Sequence, residues 1–144
     1  MYNLGAMLAS QGKTDDAEPW YRRTADGGWV DASARLGVLL ANRGDTDEAQ
    51  RRLRQAADLD DTDAQYNLGV LLATMLDPPE LADARTWYTK AAEAGHSAAQ
   101  YGLGVLLANR LDPPELAEAR TWLARAAEAG HADARDVLEQ LGDD

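Results

Sequence analysis

Two near-identical acidic phrases, Leu76 to Trp87 and Leu111 to Trp122, each combine several carboxylates with two prolines. Asp77 and Glu80 in the first copy, and Asp112 and Glu115 in the second, are residue types that serve metal sites and general acid/base pairs. The same spacing also describes a helix start. Aspartate at the N-cap accepts a backbone N–H, proline at N1 leaves no N–H unpaired, and glutamate at N3 reaches back to the cap. Acids also favour helix N-termini through the macrodipole, so capping is the expected role of these carboxylates. Asp45 to Glu48 is a proline-free version of the same start. The proline copies are three residues longer, close to one helical turn, so the helices they open are expected to gain a turn without rotating their buried face. Nearer the N-terminus, Pro19 falls where a first turn is expected, which places that N-cap at Asp15 or Asp16.

The two histidines, His96 and His131, lie 35 residues apart. The chain has no cysteine, so no thiolate joins them, and zinc would need further ligands facing them. Each follows a glycine that closes a helix, where an imidazole interacts favourably with the negative end of the helix dipole. No Ser-His-Asp set, phosphate-binding glycine loop, H-E-x-x-H or G-x-S-x-G motif occurs. No catalytic residue, cofactor or metal site is expected, and hence no enzyme.

The elements that carry these residues are legible from periodicity. The phrase x-L-G-x-x-L recurs with its leucine at Leu4, Leu36, Leu68 and Leu103, and Leu138 keeps step, at intervals of 32, 32, 35 and 35 residues. Gly5, Gly37, Gly69 and Gly104 follow, then Leu8, Leu40, Leu72 and Leu107 one turn on. A second register runs through Ala17, Ala49, Ala84 and Ala119, then Tyr21, Leu53, Tyr88 and Leu123, then Ala25, Ala57, Ala92 and Ala127. Stripes at i, i+4 and i+8 mark amphipathic helices. Each repeat is therefore two helices, A and B. Glycine inside helix A costs about 1 kcal/mol relative to alanine, so its fourfold recurrence predicts another helix backbone passing closely over it. Gly95 and Gly130 read as C′ residues that end helix B. Short connections make neighbours antiparallel, and the pairs stack into an all-α, right-handed α-solenoid of four helix pairs plus a C-terminal capping helix. The expected boundaries are about 2–33, 34–65, 66–100 and 101–135, with a cap over 136–144, all in one domain spanning 1–144.

Composition agrees. Alanine and leucine abound and phenylalanine is absent, a bias that favours helices. The net charge of −11 disfavours phosphate backbones and anionic headgroups, so neither nucleic acid nor membrane is an expected partner. No apolar run spans a bilayer and no basic n-region opens the chain, so a cytoplasmic location is expected.

Trp87 to Ala108, WYTKAAEAGHSAAQYGLGVLLA, resembles the Sel1-like repeat, a relative of the tetratricopeptide repeat. The third and fourth repeats carry the resemblance. In the first two, GGWVDA and LDDTDA replace the Ala-Gly-His turn, and their shorter length is closer to the plain tetratricopeptide pattern. The resemblance implies an adaptor that binds other proteins, with a concave groove lined by the A helices. The residues it sets there are Tyr2, Tyr66 and Tyr101, with Ala34 at the equivalent point of repeat 2. One turn on come Val38, Val70 and Val105, then Asn42, Thr74 and Asn109, while Asp31 and Asp63 begin helices A. Tyrosine gives contact area at low entropic cost and amides hydrogen-bond an extended backbone. Arg35, Arg43 and Arg110 are expected toward helix ends or edges, which argues against a clamp for a peptide carboxylate and for a neutral or basic segment. Trp20, Trp87 and Trp122 share one register and are expected to pack between repeats, whereas Trp29 sits at a turn and is the aromatic most expected to touch a partner.

The chain opens inside helix A, with Met1 where later repeats have DAQ or AAQ. A fragment of a longer solenoid is one expectation; a homodimer through the uncapped N-terminal face is the alternative. Leu138 and Leu141, followed by Asp143 and Asp144, read as a closing half-repeat with a polar end.

Overall fold

A computed structural model describes residues 2–142, and of Tyr2 only the backbone. Met1, Asp143 and Asp144, which the sequence places at the two ends of the stack, lie outside the described residues. Helices A are α1 (Tyr2–Ser10), α3 (Val30–Arg43), α5 (Thr62–Val70) and α7 (Ser97–Val105). The last two continue without a break into π-helical turns, Leu71–Met75 and Leu106–Arg110. Helices B are α2 (Thr14–Asp26), α4 (Thr46–Ala57), α6 (Leu81–Glu93) and α8 (Leu116–Glu128), and α9 (Ala132–Leu141) closes the stack. Each helix packs on its neighbours in sequence, and α3, α5, α7 and α9 also touch in succession. This is an all-helical solenoid of antiparallel pairs.

The leucine stripes form its core. Leu36, Leu40, Leu53, Leu68, Leu72, Leu103, Leu107 and Leu123 are fully buried, each contributing about 1.5–3 kcal/mol of apolar burial. The glycines of the repeat lie where helix B presses hardest. A Cβ on Gly37 would stand 2.6 Å from Leu53 Cγ, on Gly69 2.6 Å from Tyr88 Cδ1, and on Gly104 2.5 Å from Leu123 Cγ. The close approach expected from the sequence is present, but the intruder is a side chain of the same repeat's helix B more than a backbone.

Helix ends repeat as faithfully. Gly95 has φ +92°, its N–H donates to Ala92 O, and the His96 N–H donates to Ala91 O, both at 3.0 Å. Gly130 and His131 do the same to Ala127 and Ala126. These are Schellman closures, as the sequence predicts. In repeat 2 the equivalent residue is Asp60, which holds φ +63° and donates its N–H to Ala57 O at 3.1 Å. An L-residue with a Cβ is strained there. Asp60→Gly is expected to raise stability by about 1 kcal/mol, read as a higher urea midpoint at unchanged slope; an unchanged midpoint would show that aspartate carries no strain at this position.

His96 serves the helix that follows it more than the dipole at the preceding C-terminus. His96 is the N-cap of α7: its Nδ1 accepts the Ala99 N–H at 3.2 Å, leaving Nε2–H to donate to Asp63 Oδ1 at 3.0 Å. Asp61, one repeat earlier, accepts the Ala64 N–H at 2.8 Å from the same register. His131 holds the N-cap position of α9 without a side-chain cap bond. Buried Gln65 and Gln100 staple each A helix to the B helix before it, donating to Ala57 O at 3.3 Å and Ala92 O at 3.2 Å.

The proline phrases are not helix starts. Asp77–Pro78 and Asp112–Pro113 are cis, and α6 and α8 begin only at Leu81 and Leu116, with Glu80 and Glu115 at the N-cap positions and no side-chain cap bond. Asp45 does hold the N-cap position of α4, also without a side-chain bond. In repeat 1 the N-cap is Lys13; Asp15 and Asp16 lie in the first turn and Pro19 inside the helix. Nor does helix B gain a turn. Buried Ala17, Ala49, Ala84 and Ala119 are each the fourth residue of their helix, so the three added residues lie wholly in the connection. That connection folds back on helix A: the Glu80 N–H donates to Leu72 O and the Glu115 N–H to Leu107 O, both at 2.8 Å. Partners offered from outside the ladder suit an A helix whose last turn has opened to π geometry.

Glu115 uses its carboxylate between repeats. Arg85 of α6 grips it with both terminal nitrogens at 2.8 Å and also reaches Glu118 at 3.1 Å. The Arg85 hydrogen bond holds the Glu115 carboxyl below the ordinary glutamate range. A carboxyl lowered by folding stabilises the fold above its unfolded pKa, and that stability is lost as pH falls through the folded value. Glu115→Gln is therefore expected to lie below the native protein in stability at pH 7, with the gap narrowing as pH falls through and below the ordinary glutamate range. Parallel denaturation curves at neutral and acid pH check this, and a gap that does not narrow would contradict it.

Candidate peptide-binding face

Helices A present two i, i+4 rows to one side. In α3 these are Ala34, Val38 and Asn42, and Asp31, Arg35, Leu39 and Arg43. With Ala9 of α1, Thr14, Asp15 and Tyr21 of α2, Asp61 before α5, and Asp63 and Asn67 on α5, they line an open cleft of about 610 Å³. Its floor is apolar, from Ala9, Tyr21, Ala34, Val38 and Leu39, and its rim is polar.

Of the residues expected to face a ligand, the cleft gathers Asp31, Asn42 and Asp63, together with Ala34 and Val38. The others lie further along the solenoid. Tyr66 is half-buried, stacked on His96 at 4.8 Å and tilted against Tyr88 at 6.1 Å. Tyr101 repeats the arrangement on His131 at 4.4 Å. Val70 and Val105 are half-buried against the core, Thr74 turns its hydroxyl back to Val70 O at 2.7 Å, and Asn109 is exposed. The Tyr2 side chain is outside the described residues. Trp29 occupies the N-cap position of α3 and is 63% exposed, whereas Trp87 and Trp122 are buried under Lys90 and Arg125.

Arg43 and Arg110 end their helices as expected, but the expectation that the arginines keep clear of the binding face needs correction. Arg35 and Arg43 line the cleft; the i, i+4 row from Asp31 carries both into it. Arg43 is engaged by Asp15 at 2.5 Å and by Glu18, and these carboxylates hold its guanidinium above its ordinary pKa. Arg110 lies elsewhere, donating to Ala73 O at 3.0 Å and so closing the π turn of the previous repeat. Asp15, Asp61, Asn67 and Thr14 were not anticipated in the site. The signal for Asn67 was its i+4 spacing from Asp63; Asp15 and Thr14 arrive only because α2 folds back along α3. Four carboxylates against two guanidiniums leave the cleft acidic. Among the described residues no group of three His, Asp or Glu side chains is placed to hold a metal ion, and no helix is long and apolar enough to cross a membrane.

Paired short helices stacked in register, with a cleft along the A side, define an α-solenoid repeat protein. Residues 34–98 match the tetratricopeptide repeat model and residues 97–131 the Sel1 repeat model. The chain is a repeat protein of the tetratricopeptide/Sel1 type. The curated proteins gave no match. Among solved structures it is similar to c5321, a protective antigen present in uropathogenic Escherichia coli strains displaying an SLR fold. Identity is 28% with a TM-score of 0.83, over 95% of this chain and 32% of that one. It is also similar to a Sel1 repeat protein from Oxalobacter formigenes, with 27% identity and a TM-score of 0.80, over 96% of this chain and 61% of that one. The chain thus spans about a third and about three fifths of these structures.

Proposed function

We propose that this chain is a non-catalytic scaffold that holds an extended polypeptide segment on its A-helix side. The observation that carries this is the cleft between α1, α2, α3 and α5, with an apolar floor and the exposed amide of Asn42 on its rim. Such a surface can bury side chains while an amide pairs with a peptide backbone. Tetratricopeptide and Sel1 repeats generally act as protein-protein interaction scaffolds, which supports the same role. The excess of carboxylates around the cleft favours a neutral or basic segment. A photoreactive side chain at Asn42 is expected to trap a discrete protein from cells of the source organism, and one at Gln55, exposed on helix B, is not. Equal capture from both positions, or capture from Gln55 alone, would move the binding surface off the cleft.

A second role is favoured by α1, where Leu4 and Met7 are exposed, Met7 by 49%. Apolar side chains on a terminal helix support self-association through that face. Sedimentation across a hundredfold concentration range decides it: a constant monomer excludes the dimer.

A further inference from the structure

We infer that the cleft is built around one cationic side chain, an arginine of the bound segment, seated between Asp31 and Asp63 over Ala34 and Val38. This rests on the cleft being the binding face and names what it selects. The apolar floor is the starting observation, since a long aliphatic stem needs such a surface and a charged head needs an acceptor at its edge. The cleft supplies both in one place.

Charge complementarity singles out the two aspartates. Of the four carboxylates lining the cleft, Asp15 is spent on Arg43 and Asp61 on the Ala64 N–H. Asp63 gives one oxygen to His96 and is otherwise exposed, and Asp31 is exposed with no hydrogen bond or ion pair among the described residues. Asp31 and Asp63 hold the same register, five residues before the repeat leucine, at the second position of the adjacent helices α3 and α5. The same register carries Ala98 in repeat 4 and Asp133 in α9, and of its acids Asp31 and Asp63 are the two that line the cleft. A planar guanidinium offers donors on two edges and answers two carboxylates at once, which an ammonium does less well. The two arginines of the cleft, Arg35 and Arg43, follow Asp31 along its own helical row, and Arg43 is already neutralised by Asp15 and Glu18.

The Asp63–His96 bond makes the site observable. The chain has two histidines, and only His96 shares a carboxylate with the cleft. The test titrates three blocked heptapeptides, Ala-Ala-Asn-X-Asn-Ala-Ala with X as arginine, glutamine or glutamate, and reads the imidazole resonances together with affinity. The arginine peptide is expected to bind about tenfold more tightly than the glutamine one and to shift His96 but not His131. Asp31→Asn and Asp63→Asn, which keep shape and an acceptor oxygen, are each expected to bring the arginine peptide down to the glutamine level. Asp47→Asn and Asp83→Asn, the same charge change on exposed positions of helices B, are expected to leave the preference intact.

Equal binding of the arginine and glutamine peptides with a His96 shift overturns the cationic anchor and leaves the peptide cleft standing. Loss of preference in the helix-B variants as much as in the cleft variants also overturns it, because the attraction is then the diffuse field of an acidic protein. Failure of all three peptides to move His96 overturns it too, and the Asn42 cross-link then decides separately whether any segment binds there.

Discussion

Gly104→Ala is expected to lower stability by about 2 kcal/mol, even though alanine is the better helix former by about 1 kcal/mol. A Cβ at Gly104 would lie 2.5 Å from Leu123 Cγ, 2.9 Å from its Cδ2 and 3.3 Å from Ala119 O. Cγ is a branch point close to the backbone of α8, so no rotation of a flexible tip relieves the overlap; α7 must move off α8. Overpacking of this kind costs about 1–3 kcal/mol and sometimes more. The contact lies in the fully buried core, where neighbours have little room to give. Gly37→Ala meets Leu53 Cγ at 2.6 Å and the Leu53 N at 3.2 Å and is expected to behave alike. Gly5 is the contrast, since its nearest neighbours, Tyr21 Cε1 at 3.1 Å and Cδ1 at 3.2 Å, belong to a ring that can tilt. Gly5→Ala is expected to fall near zero. Thermal melts rank the three, with a loss of roughly 6–8 °C for Gly104→Ala. A raised melting temperature there would mean that helix propensity outweighs the contact.

Tyr88→Ala is expected to cost more, about 4 kcal/mol, in the range for removing a buried ring. The Tyr88 ring is 5% exposed and touches two A helices, at Gly69 of its own repeat and at Gly102 of the next, where added Cβ atoms would lie 2.6 Å and 3.1 Å away. Burial also pushes its phenol above the ordinary tyrosine pKa. Removing the ring therefore empties the joint between the third and fourth repeats. Solenoid stability is a sum of repeat and interface contributions, so the loss is local. Amide hydrogen exchange is expected to rise first in α7 and α8 and last in α3 and α4. Tyr88→Leu, the residue that the same register carries at Leu53 and Leu123, is expected to restore the contact with Gly69 but not with Gly102, recovering about half of the loss. Uniform acceleration of exchange along the chain would show that the repeats unfold as one unit.

These contacts mark what periodicity conveys and what it omits. Leu36, Leu68 and Leu103 announced the A helices, and the Ala-Tyr/Leu-Ala stripe announced the B helices, because burial demands a fixed chemical type at every turn. Gly95 and Gly130 were equally clear, since a left-handed closing residue leaves few alternatives. The Asp-Pro-Pro-Glu phrase misled because N-cap preference is local, while the start of helix B is decided by where Ala84 and Ala119 must meet helix A. The π turns had no local signature at all; they depend on the Glu80 and Glu115 amides returning to Leu72 and Leu107. The sequence ties His96 to the helix it follows, yet its Nδ1 serves the one it precedes. The cleft is half legible in the sequence: Asp31, Ala34, Val38 and Asn42 mark the ligand side, but Arg35, Leu39 and Arg43, which continue the row from Asp31, do not. For Tyr66 and Tyr101 the sequence leaves ligand contact and packing equally open, because exposure of a half-apolar ring cannot be told from stacking on a histidine that is 30 residues away.

The five-residue connections 76–80 and 111–115 set repeat length apart from repeat geometry. Helix B begins in the same phase, with its buried alanine at the fourth position, whether the interval is 32 or 35 residues, so the superhelix is indifferent to chain inserted at that edge. The proline corners are thus natural splice points. A peptide tag, an extra loop or an exchange of one repeat length for the other can be grafted there with the pitch of the stack preserved, while the same insertion between helix B and the next helix A would have to break the Schellman closure that sets the angle from one repeat to the next.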